Sequence, residues 1–358
     1  QHDRNAGLIT ALAQQPVALN LILFVVAAIG VWCAGVRLAH YADAIADRKK
    51  IGHAFMGLVF VAAVTSLPEM VTTLYGAFAG QAELVLGNLF GGITMQTAIL
   101  AVADISFAGM ALTAYPRGPA SALEATLLIG LLALLLGLHA VGEFMLPIGV
   151  GLGTLLLGVA YVAIVMTLRE YDKNETWLPV GACEPVEPQI TEMPPEKALD
   201  KVSFPGLVRC FILLGLAILI CALGLTVSAA AIAEQTGISS SFIGVTLLAA
   251  ATSLPEVSTT IAAVRIGAYS MAISNIFGSN LLMVALILPA DLVYIGNPIL
   301  GAIDQATAFA LVSGVLVTSI YLAGLLIRSP KTIFRIGRDS ALVLVVYAVT
   351  LAAFYHFS

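Results

Sequence analysis

The chain has 358 residues, 60% of them hydrophobic and only 10% charged, with a formal net charge of -5 and a mean hydropathy of +1.01. Soluble domains carry roughly 25% charged residues, so the composition excludes a soluble enzyme. It holds no basic stripe of the size nucleic acid needs, which leaves membrane lipid as the surrounding partner.

Several apolar runs reach the ~20 residues a helix needs to cross the hydrocarbon core. Alternating barrel patterning is absent, so the reading is an all-α polytopic membrane protein. In chain order about ten spans are predicted, at 17–45, 53–79, 84–107, 119–138, 146–168, 205–234, 241–266, 270–293, 301–327 and 339–356. The chain opens Gln1-His2-Asp3 without a methionine, which points to a trimmed N-terminus. The first run is too long for the core of a cleavable signal and reads as a true span. Residues 169–204 form a cytoplasmic linker rich in proline and in acids (Glu184, Glu187, Glu192, Glu196) that lacks the spacing of a calcium-binding loop.

Lysine and arginine set the expected orientation. Arg48, Lys49, Lys50, Arg117, Arg169, Lys173, Lys197, Lys201, Arg209, Arg265, Arg328, Lys331, Arg335 and Arg338 all fall on one side if ten spans are counted. The opposite loops carry Glu83, His139, Glu143, Glu234 and Asp304 but no lysine or arginine. Both termini are therefore expected outside the cytoplasm. Arg37, Asp43 and His53, at the turn after the first span, are expected to snorkel or pair locally.

The sequence repeats itself. Ser66-Leu67-Pro68-Glu69 recurs as Ser253-Leu254-Pro255-Glu256, a shift of 187 residues. The same shift carries Gly80 to Gly267, Asn88 to Asn275, Phe90-Gly91 to Phe277-Gly278, and Asp104 to Asp291. A unit of five crossings is inverted in its second copy, which predicts two inverted five-helix repeats, 1–168 and 205–358.

A carboxylate in hydrocarbon is expensive and is a functional candidate by default. Glu69 and Glu256 each lie near the middle of a span, so both reach the bilayer midplane from opposite directions. Facing one another, they demand a compensating cation or protons. Thr65, Ser66, Thr252 and Ser253 offer hydroxyl oxygens within a turn of the acids. Each proline removes a helix hydrogen bond, freeing the carbonyls of Val64 and Ala251 and loosening those of Ala62 and Ala249. Such oxygens suit hard cations. A serine or threonine in a span more often bonds back to its own helix, and only the adjacent proline break tips these toward a site. Asn88 and Asn275 stand evenly between bridging helices and touching an ion, whereas Gly91 and Gly278 are read as packing contacts. Asp104 and Asp291, near span ends, are expected to be solvated caps. The four cysteines have no metal spacing, and no nucleophile triad or phosphate loop occurs, so no cofactor is implied.

Thr65-Ser66-Leu67-Pro68-Glu69 with Gly87-Asn88-Leu89-Phe90-Gly91, and Thr252-Ser253-Leu254-Pro255-Glu256 with Ser274-Asn275-Ile276-Phe277-Gly278-Ser279-Asn280, resemble the two α-repeats of the cation/calcium exchanger superfamily, here near 60–100 and 247–287. The resemblance covers nearly the whole chain. It implies a core of spans two, three, seven and eight that holds the ions, with spans one and six sliding past it. It carries the family's ligands onto Glu69, Glu256, Thr65, Ser66, Thr252, Ser253 and Ser279. Three places depart from the pattern. Gly92 stands where a repeat-one serine is usual in sodium/calcium members, Gln96 and Met283 stand where the family has Asn or Asp, and Ile93 is the counterpart of Asn280. Gln96 still offers an amide oxygen; Met283 offers only a soft thioether. The expected function is antiport of Ca2+ against Na+ or H+ in a prokaryotic plasma membrane. The alternatives are exchange of Mn2+ or Mg2+, a passive pore, or a receptor or scaffold with a degenerate site. No feature sets an oligomeric state.

Overall fold

A computed structural model describes residues 15–50, 52–105, 110–116, 118–147, 149–173, 199, 202–236, 252–296, 298–329, 331–333 and 336–357. The acidic linker residues, the chain's first residues, and the first half of the seventh span with Ala249 and Ala251 lie outside them. Twelve helices carry the described architecture. They are α1 (Val17–Lys49), α2 (His53–Thr65), α3 (Leu67–Phe78), α4 (Ala82–Ile105), α5 (Ala120–Val141), α6 (Leu152–Lys173), α7 (Phe204–Thr236), α8 (Leu254–Arg265), α9 (Tyr269–Ala285), α10 (Ile287–Val293), α11 (Gln305–Ile327) and α12 (Arg338–Phe357). α2 with α3, and α9 with α10, each make one span, so the helices fall on the ten predicted crossings. A two-stranded hairpin, β1 (Thr332–Ile333) and β2 (Ile336–Gly337), precedes α12.

The repeats interlock. α4 packs against α11 and α12 of the second repeat, and α9 packs against α5 and α6 of the first. These two central helices are accordingly the most buried spans, 72% and 67% of their apolar windows, against 17% for α1 and 28% for α7. α1 and α7 pair with each other along their length through Val31, Ala222 and Leu225. Their outward residues, such as Val26, Ile29, Ile212 and Ile220, are well exposed apolar groups suited to lipid. At 33 residues each, these helices run ~50 Å. That exceeds the ~30 Å hydrocarbon core, so they must tilt or protrude.

Local chemistry sets the ends. α3 and α8 both stop at a glycine with positive φ, Gly80 at +79° and Gly267 at +82°. There Gly80 N bonds Ala77 O and Gln81 N bonds Gly76 O, and the same pattern recurs at Gly267 and Ala268. The fifth span begins at Leu152, later than expected. Leu146 N donates to Val150 O and Leu152 N to Phe144 O across a turn at Pro147, consuming the backbone groups a helix would need. His53 pairs locally with Asp43 at 3.0 Å and Asp47 at 3.4 Å, while Arg37 is exposed.

Asp304 caps α11 by accepting the Thr307 N–H at 2.7 Å. Hydrogen bonds from Thr307, its side chain first and its backbone second, hold the Asp304 carboxyl below its ordinary range. A depressed acid stabilises the fold above its unfolded pKa of about 4 and loses that contribution as pH falls through the folded value. Asp304→Ala is expected to cost ~1 kcal/mol near neutral pH. The difference in unfolding between variant and wild type should shrink as pH falls below the ordinary aspartate range; a gap that does not change with pH would mean the carboxylate is not the cap.

Asp104 and Asp291 are not the solvated caps expected, since both are at least 98% buried. Asp104 accepts from Leu112 N at 2.8 Å and Gly337 N at 2.7 Å. Asp291 accepts from Ile299 N at 2.7 Å, Gly151 N at 2.7 Å and the Thr154 hydroxyl at 2.8 Å. Each carboxylate thus bonds the loop eight residues on and a turn in the opposite repeat. Burial is affordable because each acid satisfies backbone donors that no helix uses.

Candidate functional site

Both copies of the Thr-Ser-Leu-Pro-Glu motif break their helix at the serine. Ser66 has φ -84° and ψ 7°, and Ser253 has φ -86° and ψ 2°. A proline inside the first turn of the following helix prevents the ladder from continuing across the break. At Ser66 the span bends by 52°. α3 and α8 are both 12 residues long and both carry their glutamate in the first turn. The positive end of each half-helix therefore faces a carboxylate. Upstream of the first break, Met56–Val61 is a π-helical segment, which the sequence pattern does not reveal.

Glu69 and Glu256 are 1% and 0% exposed and act on one another electrostatically. Glu256 Oε1 accepts from the Ser66 hydroxyl at 3.3 Å and from the Ser279 hydroxyl at 3.2 Å. Those two hydroxyls are also in contact, so one can donate to the other while the other donates to Glu256, and the Thr65 hydroxyl acts on the same carboxylate. Side chains of both repeats thus converge on one acid. The remaining acidic oxygens, both of Glu69 and Oε2 of Glu256, are buried without a hydrogen-bond partner. Leaving a buried carboxylate unpaired costs several kcal/mol, so these oxygens can take a cation.

The supporting shell is asymmetric. Asn275 is buried and donates to Thr259 at 3.1 Å and Thr260 at 3.2 Å, while its oxygen accepts from Thr65 at 3.4 Å. It bridges helices. Its counterpart Asn88 is only half-buried, and the matching Thr73 hydroxyl has no partner. Thr72 and Thr259 bond back to the carbonyls around Pro68 and Pro255. The Ala62 carbonyl accepts from Ser66 N at 2.9 Å and lies 3.3 Å from Thr65 Oγ1, whose single proton Asn275 Oδ1 can take instead. Thr252 and Ser253 are buried at the second break.

Gln96 is fully buried, and neither amide atom has a partner. Next to it, Thr97 receives a 3.2 Å bond from Asn280, which joins α4 to α9. The two departures Gly92 and Met283 face each other: a Cβ at Gly92 would meet the Met283 methyl at 2.9 Å and its sulfur at 3.2 Å. The thioether fills the room a serine would use. Gly278 is a packing contact as read, with Leu58 backbone against it, whereas no described residue lies within 4 Å of a Cβ at Gly91.

One buried acid escaped the sequence reading. Glu124 of α5 is 1% exposed and accepts from the Ser274 hydroxyl at 2.7 and 2.6 Å. The available signal was a lone carboxylate in the apolar run of the fourth span.

The fold is that of solved sodium-calcium exchanger structures. NCX_Mj soaked with 10 mM Na+ and zero Ca2+ matches with a TM-score of 0.69 at 18% identity, over 94% of this chain and 99% of that one. NCX_Mj soaked with zero Na+ and Ca2+ matches at 0.68, with the same identity and coverage. No curated protein sequence matches. The family described as "Sodium/calcium exchanger protein" matches residues 19–167 and 207–356, which take in both copies of the duplicated motif. The chain belongs to the sodium/calcium exchanger family of integral membrane cation antiporters.

Proposed function

We propose that this chain exchanges Ca2+ for Na+ or H+ by alternating access, binding the ions in turn around Glu69 and Glu256. The observation that carries this reading is the set of three buried acidic oxygens without hydrogen-bond partners, contributed by carboxylates that repel each other. Oxygens of Glu69, Glu256, Ser66, Ser279 and Thr65, with the Gln96 amide oxygen, make a hard-donor set of the kind Ca2+ and Na+ prefer. Thr252 and Ser253 supply the hydroxyls of the second break, and Asn275 holds Thr65 in place.

Occupancy by either ion neutralises the acids and lets α1 and α7 slide against the core. The bare, doubly negative site resists that step, because it would drag charge past apolar surface. Exchange is therefore obligatory. The lysine- and arginine-rich loops face the cytoplasm of a prokaryotic cell in this reading, with both termini outside. The Met283 thioether against Gly92 favours a second reading, in which a softer divalent such as Mn2+ is the cargo.

The test is radiolabelled Ca2+ uptake into proteoliposomes under an outward Na+ gradient, an outward H+ gradient, or neither. Saturable uptake that needs one of the gradients is expected. Uptake or current with no counter-ion would mean a pore instead, and block by Mn2+ well below the Ca2+ half-saturation level would favour the softer cargo.

A further inference from the structure

A second group of acidic and hydroxyl oxygens sits where α4 ends, beside the β1–β2 hairpin and the first turn of α12. A Cβ on Gly337 would lie 2.6 Å from Asp339 Oδ1 and 2.9 Å from Asp104 Oδ2. Those two oxygens are therefore at most 5.5 Å apart, the sum of the two distances. Asp339 Oδ2 presses on the opposite wall, the backbone of α11 at Gly324. Tyr321, one turn earlier on α11, is 0% exposed and acts electrostatically on both carboxylates. Ser340, also fully buried, stands beside Asp104 without hydrogen-bond geometry.

Three oxygens here are buried with no hydrogen-bond partner: the Tyr321 hydroxyl, Ser340 Oγ and Asp339 Oδ2. An unsatisfied buried polar group costs about 1–3 kcal/mol. Unsatisfied groups beside two like charges call for something positive. Among the described residues no lysine, arginine or histidine forms an ion pair with either aspartate. The repeat-related acid behaves differently. Asp291 has its neighbouring hydroxyl, Thr154, donating to it at 2.8 Å, so that copy is satisfied from within. Around Asp104 neither the Tyr321 hydroxyl nor Ser340 Oγ meets hydrogen-bond geometry.

We infer that Asp104, Asp339, Tyr321 and Ser340 form a second cation site, at the lysine- and arginine-rich end of the bundle. All donors are oxygens, and two are anionic, which selects a hard divalent cation of the Ca2+ class over a soft one. The site lies ~12 Å along α4 from Gln96, at eight residues and 1.5 Å each. It is distinct from the centre built on Glu69 and Glu256. A cation bound there ties the end of α4, in the first repeat, to α11 and α12 of the second. Occupancy thereby couples the ion concentration at that face to the setting of a core helix.

Isothermal titration of the full-length chain in detergent with Ca2+ alone tests this. The background is the Glu69→Gln/Glu256→Gln double variant, which removes the acids of the central site. One Ca2+ per chain is expected to remain, and to be lost when Asp339→Asn is added. Tyr321→Phe in the same background should weaken it at least roughly tenfold. Melting temperatures measured without Ca2+ report whether each variant is folded. If Asp339→Asn does not fold, Tyr321→Phe decides alone, and an unchanged affinity overturns the site. No residual Ca2+ in the double variant, as a proton shared by the two aspartates would produce, overturns it as well. So does residual binding that Asp339→Asn leaves untouched. Failure of the central-site reading would show separately, as Glu variants that bind Ca2+ with the wild-type stoichiometry.

Discussion

Glu69→Gln and Glu256→Gln are each expected to abolish counter-ion-driven Ca2+ flux in proteoliposomes while the protein still folds. Glutamine keeps the volume of the side chain and one oxygen, and removes the charge. Breaking a buried charge pair by removing one partner costs about 3–5 kcal/mol. At ~1.4 kcal/mol per tenfold, Ca2+ affinity should fall at least ~100-fold. The two variants should differ in stability. Glu256 is already held by Ser66 and Ser279, whereas both Glu69 oxygens lack partners. Neutralising Glu69 also removes its repulsion of Glu256 without breaking a hydrogen bond, so Glu69→Gln should melt at or above the wild-type temperature in ion-free buffer. Near-normal flux in both variants would remove Glu69 and Glu256 from the transport site.

Gly278→Ala should inactivate the protein by a different route, through packing. A Cβ at that position would stand 2.1 Å from the Leu58 carbonyl oxygen and 2.7 Å from its carbon and Cα. All three are backbone atoms, which cannot rotate aside as a side chain can. The contact places α9 directly on the π-helical segment that leads to the Ser66 break. Overpacking a tight core costs ~1–3 kcal/mol and sometimes more. A lower melting temperature is expected together with loss of flux, because Ser279 follows immediately and would lose its contact with Ser66. Gly130→Ala is the matched control, since no described residue lies within 4 Å of a Cβ there. If Gly278→Ala melts and transports like Gly130→Ala, the close approach of α9 to Leu58 is not what holds the centre together.

Much of this architecture was legible in the chain because the signals are local. Length and apolarity mark spans, and proline beside serine marks a break. A shift of 187 residues superposes two breaks, two glycine stops and two asparagines. The Gly80 and Gly267 stops show the same positive φ for the same steric reason. What stayed hidden depends on partners far away in sequence. Asp291 reads as an ordinary span-end acid until Gly151, 140 residues distant, donates to it. Asp104 bonds Gly337 across 233 residues. Glu124 and Ser274 meet across 150. Asn275 takes its bond from Thr65 across 210.

Alone, then, the residue order determined the crossings, the duplication and the places where helices must break, since hydrophobicity and proline act within a turn or two of themselves. It also supplied the acids that lipid will not tolerate uncompensated. Only the tertiary structure decided which oxygens meet. Ser66 reaches Glu256 across 190 residues, and Met283 occupies the space beside Gly92. Inverted repeats bring such groups together by interlocking around α4 and α9, and that packing has no signature in any single stretch of chain.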